Sequence, residues 1–248
     1  MIAKLAFLAP RLSLRMVLAA GAAIIALGAA WGLLRGPDID YAPQMAERAV
    51  TLPDGHAIYV QKYQVTVAEW NRCHADGACE LALRAPPGSE TTTPATGLSH
   101  VDVEQYLGWI NRKARHDFRL PTIAEWQFMA KDVLPQKEDP IFTDPDLTWA
   151  STYLTTGLAP RKLSPRGSFS TSAEGIVDLD GSVWEWTQDC YGGEGGGPVG
   201  PKECAAFFAG GEHVAAIPFL VRDPARGGCA VGSPPAHLGL RLVSETRI

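Results

Sequence analysis

Nineteen consecutive residues without a charge, Met16 to Leu34 (MVLAAGAAIIALGAAWGLL), constrain this chain more than any other feature of its sequence. Backbone that enters lipid must satisfy its N–H and C=O groups within the segment, so such a run crosses a bilayer only as an α-helix. As a helix it would be about 28 Å long, close to the hydrocarbon thickness of a bilayer. Arg11 and Arg15 precede it, which places the N-terminus in the cytoplasm by the positive-inside rule. The run exceeds the h-region of a cleaved signal peptide, roughly 7–15 residues, and ends in Trp31-Gly32-Leu33-Leu34-Arg35 rather than at a small-residue cleavage site. It is apolar on every side and rich in Ala and Gly, which suits lipid better than a soluble core. The sequence therefore reads as a cytoplasmic N-terminus and transmembrane anchor (1–35), a linker (36–48) and an exported domain (49–248). The expected location is a bacterial-type inner membrane, spanned once, with the C-terminal domain in the periplasm.

The charge distribution follows the same division. Residues 1–35 hold Lys4, Arg11, Arg15 and Arg35 and no acid, whereas the rest carries 18 basic and 27 acidic residues, a net charge of −9. So acidic a domain excludes nucleic acid as the expected partner, because phosphate binding needs clustered positive charge. The membrane, through residues 16–34, and a protein in a membrane or periplasmic complex are the partners expected.

Five cysteines, Cys73, Cys79, Cys190, Cys204 and Cys229, agree with an oxidising compartment. They allow roughly fifteen ways of forming two bridges, and proximity is the one argument that chooses among them. It pairs Cys73 with Cys79 across a turn-like His74–Ala78 segment. It pairs Cys190 with Cys204 across a Gly-rich loop, where closure would offset about 3 kcal/mol of ordering cost. Cys229 is left over, as a buried thiol or as a metal or redox group.

Gly and Pro together contribute 25 and 19 residues, so the exported part is expected to be rich in turns. Val50 to Val65 reads as a hairpin around Pro53-Asp54-Gly55. Three capping signatures then announce helices. Thr66-Val67-Ala68-Glu69 opens a short helix through Trp70. Ser99-His100-Val101-Asp102 opens one whose Val103, Tyr106, Leu107 and Ile110 share a face. Thr122-Ile123-Ala124-Glu125 opens a third through Trp126. Beyond about residue 132 no helical period persists. The fold class expected is α+β with little regular structure in its second half.

Nucleotide-binding loops, G-x-S-x-G, H-E-x-x-H and Cys-x-x-Cys are all absent, and the six histidines show no ligand spacing. Instead a series of segments stands out. It comprises Tyr63-Gln64-Val65-Thr66 with Trp70, Tyr106–Asn111, and Phe118-Arg119-Leu120-Pro121-Thr122-Ile123-Ala124-Glu125-Trp126. It continues through Gly175–Asp180 into Gly181-Ser182-Val183-Trp184-Glu185-Trp186 and ends at Leu238-Gly239-Leu240-Arg241. In order and spacing these resemble the formylglycine-generating enzyme family, also called the sulfatase-modifying-factor domain, whose fold is related to C-type lectins. The resemblance runs from about residue 48 to 248. Most of these residues read as scaffold. Trp184 and Trp186, at i and i+2, share one face of an extended segment and with Trp126 would form an aromatic core.

The departures from the family bear on function. The resemblance implies a pair of thiolates near the C-terminus that would hold Cu(I), yet the corresponding stretch, His213 to Arg222, contains no cysteine. Copper is therefore not expected. The family's calcium sites are thinned too: an asparagine is replaced by Ser182 and another by Ser151, leaving Ser182, Val183 (backbone) and Glu185 as calcium candidates. Three readings follow. In the first the chain is a membrane-anchored, non-catalytic accessory or interaction subunit. In the second it is an oxidase or maturation enzyme of formylglycine-generating type, acting on an exported protein, peptide or metabolite, with Cys229, His213, His237 and Arg222 as candidate catalytic residues. In the third it is a copper carrier using Cys229 and a histidine.

Overall fold

The structure, a computed structural model, describes residues 36–134, 162–192, 204–224 and 235–248. The run at 16–34 lies outside these, as do Ser151, Cys229 and most of the Gly-rich loop. Among the described residues no helix is long and apolar enough to cross a membrane.

Each of the three capping signatures opens a helix. Helix α1 spans Val67–Ala75, α2 His100–Ala114 and α3 Ile123–Ala130. In all three the side chain of Thr66, Ser99 or Thr122 accepts the N3 backbone N–H, while the N3 acid accepts the cap's own N–H. Two of the first turn's orphan donors are thereby satisfied, which lets such short helices start at a fixed residue. Helix α2 buries Val103, Tyr106, Trp109 and Ile110 and ends in a left-handed Arg115.

The predicted hairpin forms as β1 (Val50–Thr51) and β2 (Ala57–Val60), antiparallel with Val50 opposite Ile58. Its third partner comes from far along the chain. Strand β7 (Val243–Ser244) pairs antiparallel with β2, giving the order β1-β2-β7. A second sheet, in the order β5-β4-β3-β6, contains β3 (Val183–Cys190), β4 (Ala206–Gly210), β5 (Val214–Pro218) and β6 (His237–Gly239). The β3–β6 pair is parallel and the other two are antiparallel. This is a mixed α and β architecture, as expected, but the second half is more regular than expected, because the four-stranded sheet lies entirely within it.

Both proximity-paired disulfides are present, Cys73–Cys79 and Cys190–Cys204. Two further expectations are corrected. Trp184 and Trp186 share a core with Trp70, Tyr106 and Trp109, but Trp126 belongs to a separate cluster with Ile58, Val60, Ile176 and Leu179. The cause is the pleat of β3, which sends Glu185 to the other face, where the Trp126 Nε1–H donates to its Oε2 at 2.9 Å. Consecutive glycines at the end of β4 admit both aromatic layers. A Cβ on Gly210 would lie 2.2 Å from Trp126 and one on Gly211 2.2 Å from Trp184. Second, residues 38–48 are not a linker, because the compact unit begins at Asp38. Met45 bridges Gln61, and Ala46 N–H donates to Val60 O at 2.8 Å, so this stretch pairs with the C-terminal end of β2. No alternation of apolar residues marked it as paired.

Candidate functional site

The Trp184-Glu185-Trp186 segment of β3 places one carboxylate at the centre of the domain. Glu185 and Arg241 are each fully buried. The Arg241 Nε donates to both Glu185 oxygens at 3.1 and 3.0 Å, and Nη2 donates to Oε1 at 2.8 Å. Its remaining N–H groups donate to the carbonyls of Gln61 (2.9 Å), Lys62 (2.7 Å) and Val177 (2.8 Å). Gln64 Nε2 donates to Glu185 Oε1 at 2.8 Å, and Trp126 completes the set from the opposite oxygen. A planar five-donor fork matches these acceptors, which an ammonium could not do. The pair ties the two sheets together, since Gln61 and Lys62 follow β2 while Glu185 sits in β3. Arg241 was legible in the sequence only as part of the Gly239-Leu240-Arg241 tail; its role as this fork was not.

Beside this network lies a small recess lined by Gln64, Pro94, Phe169, Asp178, Gly181 and Ser182. The Ser182 hydroxyl is buried there without a hydrogen-bond partner. Asp178 is left-handed (φ 65°), and its carboxylate accepts the N–H groups of Gly167 and Phe169. Asp180 accepts the Ser170 N–H and hydroxyl at 3.0 and 2.6 Å. These contacts bear on the calcium candidates Ser182, Val183 and Glu185. Calcium takes six to eight oxygens, roughly. Here the Ser182 hydroxyl is open, but Glu185 is committed to a guanidinium that would repel a dication, and the nearby aspartates hold backbone N–H groups. The residues present do not fit a calcium cage, and among the described residues no group of three or more His, Cys, Asp or Glu is placed to hold a metal ion.

The candidate catalytic residues fall at two ends of the four-stranded sheet. His237 opens β6 opposite Val183, and the ring of His213 stands edge-on to Trp184, centroids 4.5 Å apart. Both therefore flank the first residues of β3. Arg222 follows β5, which begins opposite Gly210 and ends opposite Ala206. That is the Cys190 end of β3, a strand about 24 Å long. The structure thus brings His213 and His237 to one end and Arg222 to the other. Between them β5 buries Ala215, Ala216 and Ile217, each at 0% exposure. These apolar side chains offer no soft donor for the Cu(I) of the family resemblance.

Arg222 has a specific partner. Its Nε and Nη2 donate to the two oxygens of Asp102, both at 2.7 Å. Asp102 also accepts the Ser99 N–H and hydroxyl at the start of α2. Burial works to raise its pKa, and the Arg222 guanidinium together with the Ser99 donors outweighs it, holding the carboxyl below its ordinary value. Arg222 is thus neutralised by an aspartate that sequence reading saw only as a cap. The clue was an Asp at N3 on a helix face otherwise apolar. His100 lies next to it, stacked on Phe207 at 3.5 Å. Burial lowers its pKa to about 4 against a weaker opposing hydrogen bond with Thr187 O, leaving a neutral imidazole.

These features define a small disulfide-stapled α+β domain organised around a buried Arg–Glu pair and two tryptophan layers. The chain belongs to the sulfatase-modifying factor enzyme 1-like domain family, whose model matches residues 18–246. It is 27% identical over 177 residues to a formylglycine-generating enzyme of Mycobacterium tuberculosis, covering 61% of this chain and 57% of that one. It is also 26% identical over 99 residues to the serine/threonine-protein kinase pkn1 of Chlamydia caviae, covering 40% of this chain and 14% of the kinase. The chain thus spans little more than half of one curated relative and a small part of the other. Among solved structures, the Treponema denticola variable protein 1 superposes with a TM-score of 0.50 at 15% identity, covering 86% of this chain and 94% of that one. PvdO from Pseudomonas aeruginosa gives 0.49 at 18% identity, covering 83% and 95%.

Proposed function

We propose that the chain is a membrane-anchored, periplasm-facing member of this family whose domain acts as a non-catalytic accessory or interaction subunit of a membrane or exported protein complex. One observation carries the reading. The stretch His213–Arg222, where the family resemblance implies the thiolate pair, forms a short strand (Val214–Pro218) that buries Ala215, Ala216 and Ile217, and it ends at an arginine already paired with Asp102. The uncharged run at 16–34 supports anchoring, and the acidic composition of the exported part fits a protein partner rather than nucleic acid. The test is a competitive Cu(I) titration of the purified, oxidised protein with a free-thiol count on the same sample. One free thiol and no competitive copper binding are expected. Stoichiometric copper binding that vanishes in Cys229→Ser, with oxygen consumed in the presence of cysteine-containing peptides, would overturn the reading.

The 27% identity to a formylglycine-generating enzyme supports a second reading, an oxidoreductase of that type acting on an exported protein, peptide or metabolite. It would rest on Cys229, which lies outside the described residues, with His213, His237 and Arg222 as the other candidates.

A further inference from the structure

The segment that follows the apolar run is fastened to one end of the helical layer. Asp38 N–H donates to the carbonyl of Ala114, the last residue of α2, at 2.8 Å, and its carboxylate pairs with Arg115. Arg72 donates to Asp40 O at 3.0 Å, and its guanidinium lies over the Tyr41 ring at 4.4 Å. Tyr41 in turn packs edge-on against Trp109. Asp76, the C-cap of α1, accepts from Trp109 Nε1 at 2.8 Å and pairs with Lys113 at 2.7 Å. The C-terminal ends of α1 and α2 therefore lie side by side, and the Asp38–Tyr41 turn covers them. Ile39 projects from that turn at 78% exposure.

Leu34 precedes Asp38 by four residues, so a fully extended chain separates them by at most about 14 Å. The headgroup layer of each leaflet is itself roughly 5–7 Å deep. If residues 16–34 span a bilayer, the tether holds this end of the domain within about 9 Å of the headgroup surface, closer than any other part of it. Its chemistry suits that position. Arg72 and Lys113 lie over the tyrosine ring and Arg115 pairs with Asp38, and Asp38, Asp40 and Asp76 balance these three charges. A near-neutral face adapts to zwitterionic lipid without demanding an anionic one.

We propose that the C-terminal ends of α1 and α2, with the Asp38–Tyr41 turn, form a surface that rests on the lipid headgroups, a proposal built on the anchored reading above. The opposite end of α2 is then presented away from the bilayer. That end receives the 219–222 loop, where His100 N–H donates to Phe219 O at 3.0 Å and Asp102 holds Arg222. The 15 residues of α2 separate the two ends by about 21 Å. The surface offered to a partner carries Leu220, 65% exposed, rather than Ile39.

The test uses the full chain with Cys229→Ser, reconstituted into phosphatidylcholine vesicles doped with a headgroup spin-labelled lipid. An environment-sensitive fluorophore is attached at Ile39→Cys or Asp40→Cys and, separately, at Leu220→Cys, all exposed positions where a label disturbs no core. The labels at 39 and 40 lose more than half their emission to the spin label and the label at 220 keeps nearly all of its own. Equal quenching at 39 and 220, or none at 39 in protein that floats with the vesicles, overturns the proposed surface while leaving the anchor intact. Protein that does not float with the vesicles overturns the anchor and this inference with it.

Discussion

Replacing Arg241 with Met tests whether the buried ion pair organises the domain. Methionine approximates the aliphatic stem and fills part of the volume, so the change removes chiefly the fork. It strips the charge partner from Glu185, which is fully buried, and strips donors from the carbonyls of Gln61, Lys62 and Val177. Lys62 O keeps the Val177 N–H, and Glu185 keeps Gln64 and Trp126, so the loss is incomplete. Breaking a buried pair by removing one partner costs about 3–5 kcal/mol, against a total stability of about 5–15 kcal/mol. For a domain of this size that lowers Tm by roughly 6–20 °C. Urea unfolding of the oxidised protein, followed by tryptophan fluorescence, reads the midpoint directly, because Trp126 and Trp186 sit on opposite faces of the strand that carries Glu185. Arg241→Lys is expected to recover less than half of the loss, since an ammonium cannot reach both the carboxylate and three carbonyls. A stability for Arg241→Met within about 1 kcal/mol of the parent, in the range of ordinary surface substitutions, would refute the assignment.

Three further outcomes follow from the packing. Gly210→Ala forces a Cβ into Trp126 and is expected to cost about 1–3 kcal/mol by overpacking, read in the same urea assay. The His100 pKa is depressed from 6.5 to about 4, so its contribution is fully present above pH 6.5 and is lost as pH falls toward 4, by about 3 kcal/mol at most. His100→Gln should flatten the stability–pH profile in that window and leave it unchanged above it. Replacing Cys190 and Cys204 together with Ser should cost about 3 kcal/mol, and thermal melts with and without reductant should then coincide more closely than those of the parent.

What the sequence revealed and what it hid divide along a physical line. Local chemistry was legible. Capping boxes at Thr66, Ser99 and Thr122 involve residues three apart, and both disulfides join near neighbours in the chain. The Pro53-Asp54-Gly55 turn fixes its own hairpin. Contacts set by distant pairing were not legible. Nothing near Asp102 announces Arg222, which lies 120 residues away. Trp126 looked like a companion of Trp184 and Trp186 because all three are large and apolar, and only the pleat of β3 assigns them to different faces. The 38–48 stretch lacked a period because one bridge and scattered backbone hydrogen bonds, to Ala114, Val60, Lys62 and Glu174, hold it rather than a regular ladder. The missing thiols at 213–222 were visible in the sequence, but not the packed strand formed by the residues in their place.

The closure of the first sheet by β7 also dictates when the domain can exist. Arg241 reaches back across 180 residues to Gln61, and Val243 pairs with Val60. A chain emerging N-terminus first from a ribosome or a translocation channel therefore exposes β1 and β2 long before their partner arrives. Until residues 241–244 are delivered, Glu185 has no counter-charge and β2 keeps an open edge. Completion of the first sheet is thus placed late in synthesis, because its third strand is among the last residues made. A stop codon a few positions before Arg241 would remove both the counter-charge of Glu185 and the third strand of the first sheet, although it would remove only a small fraction of the mass.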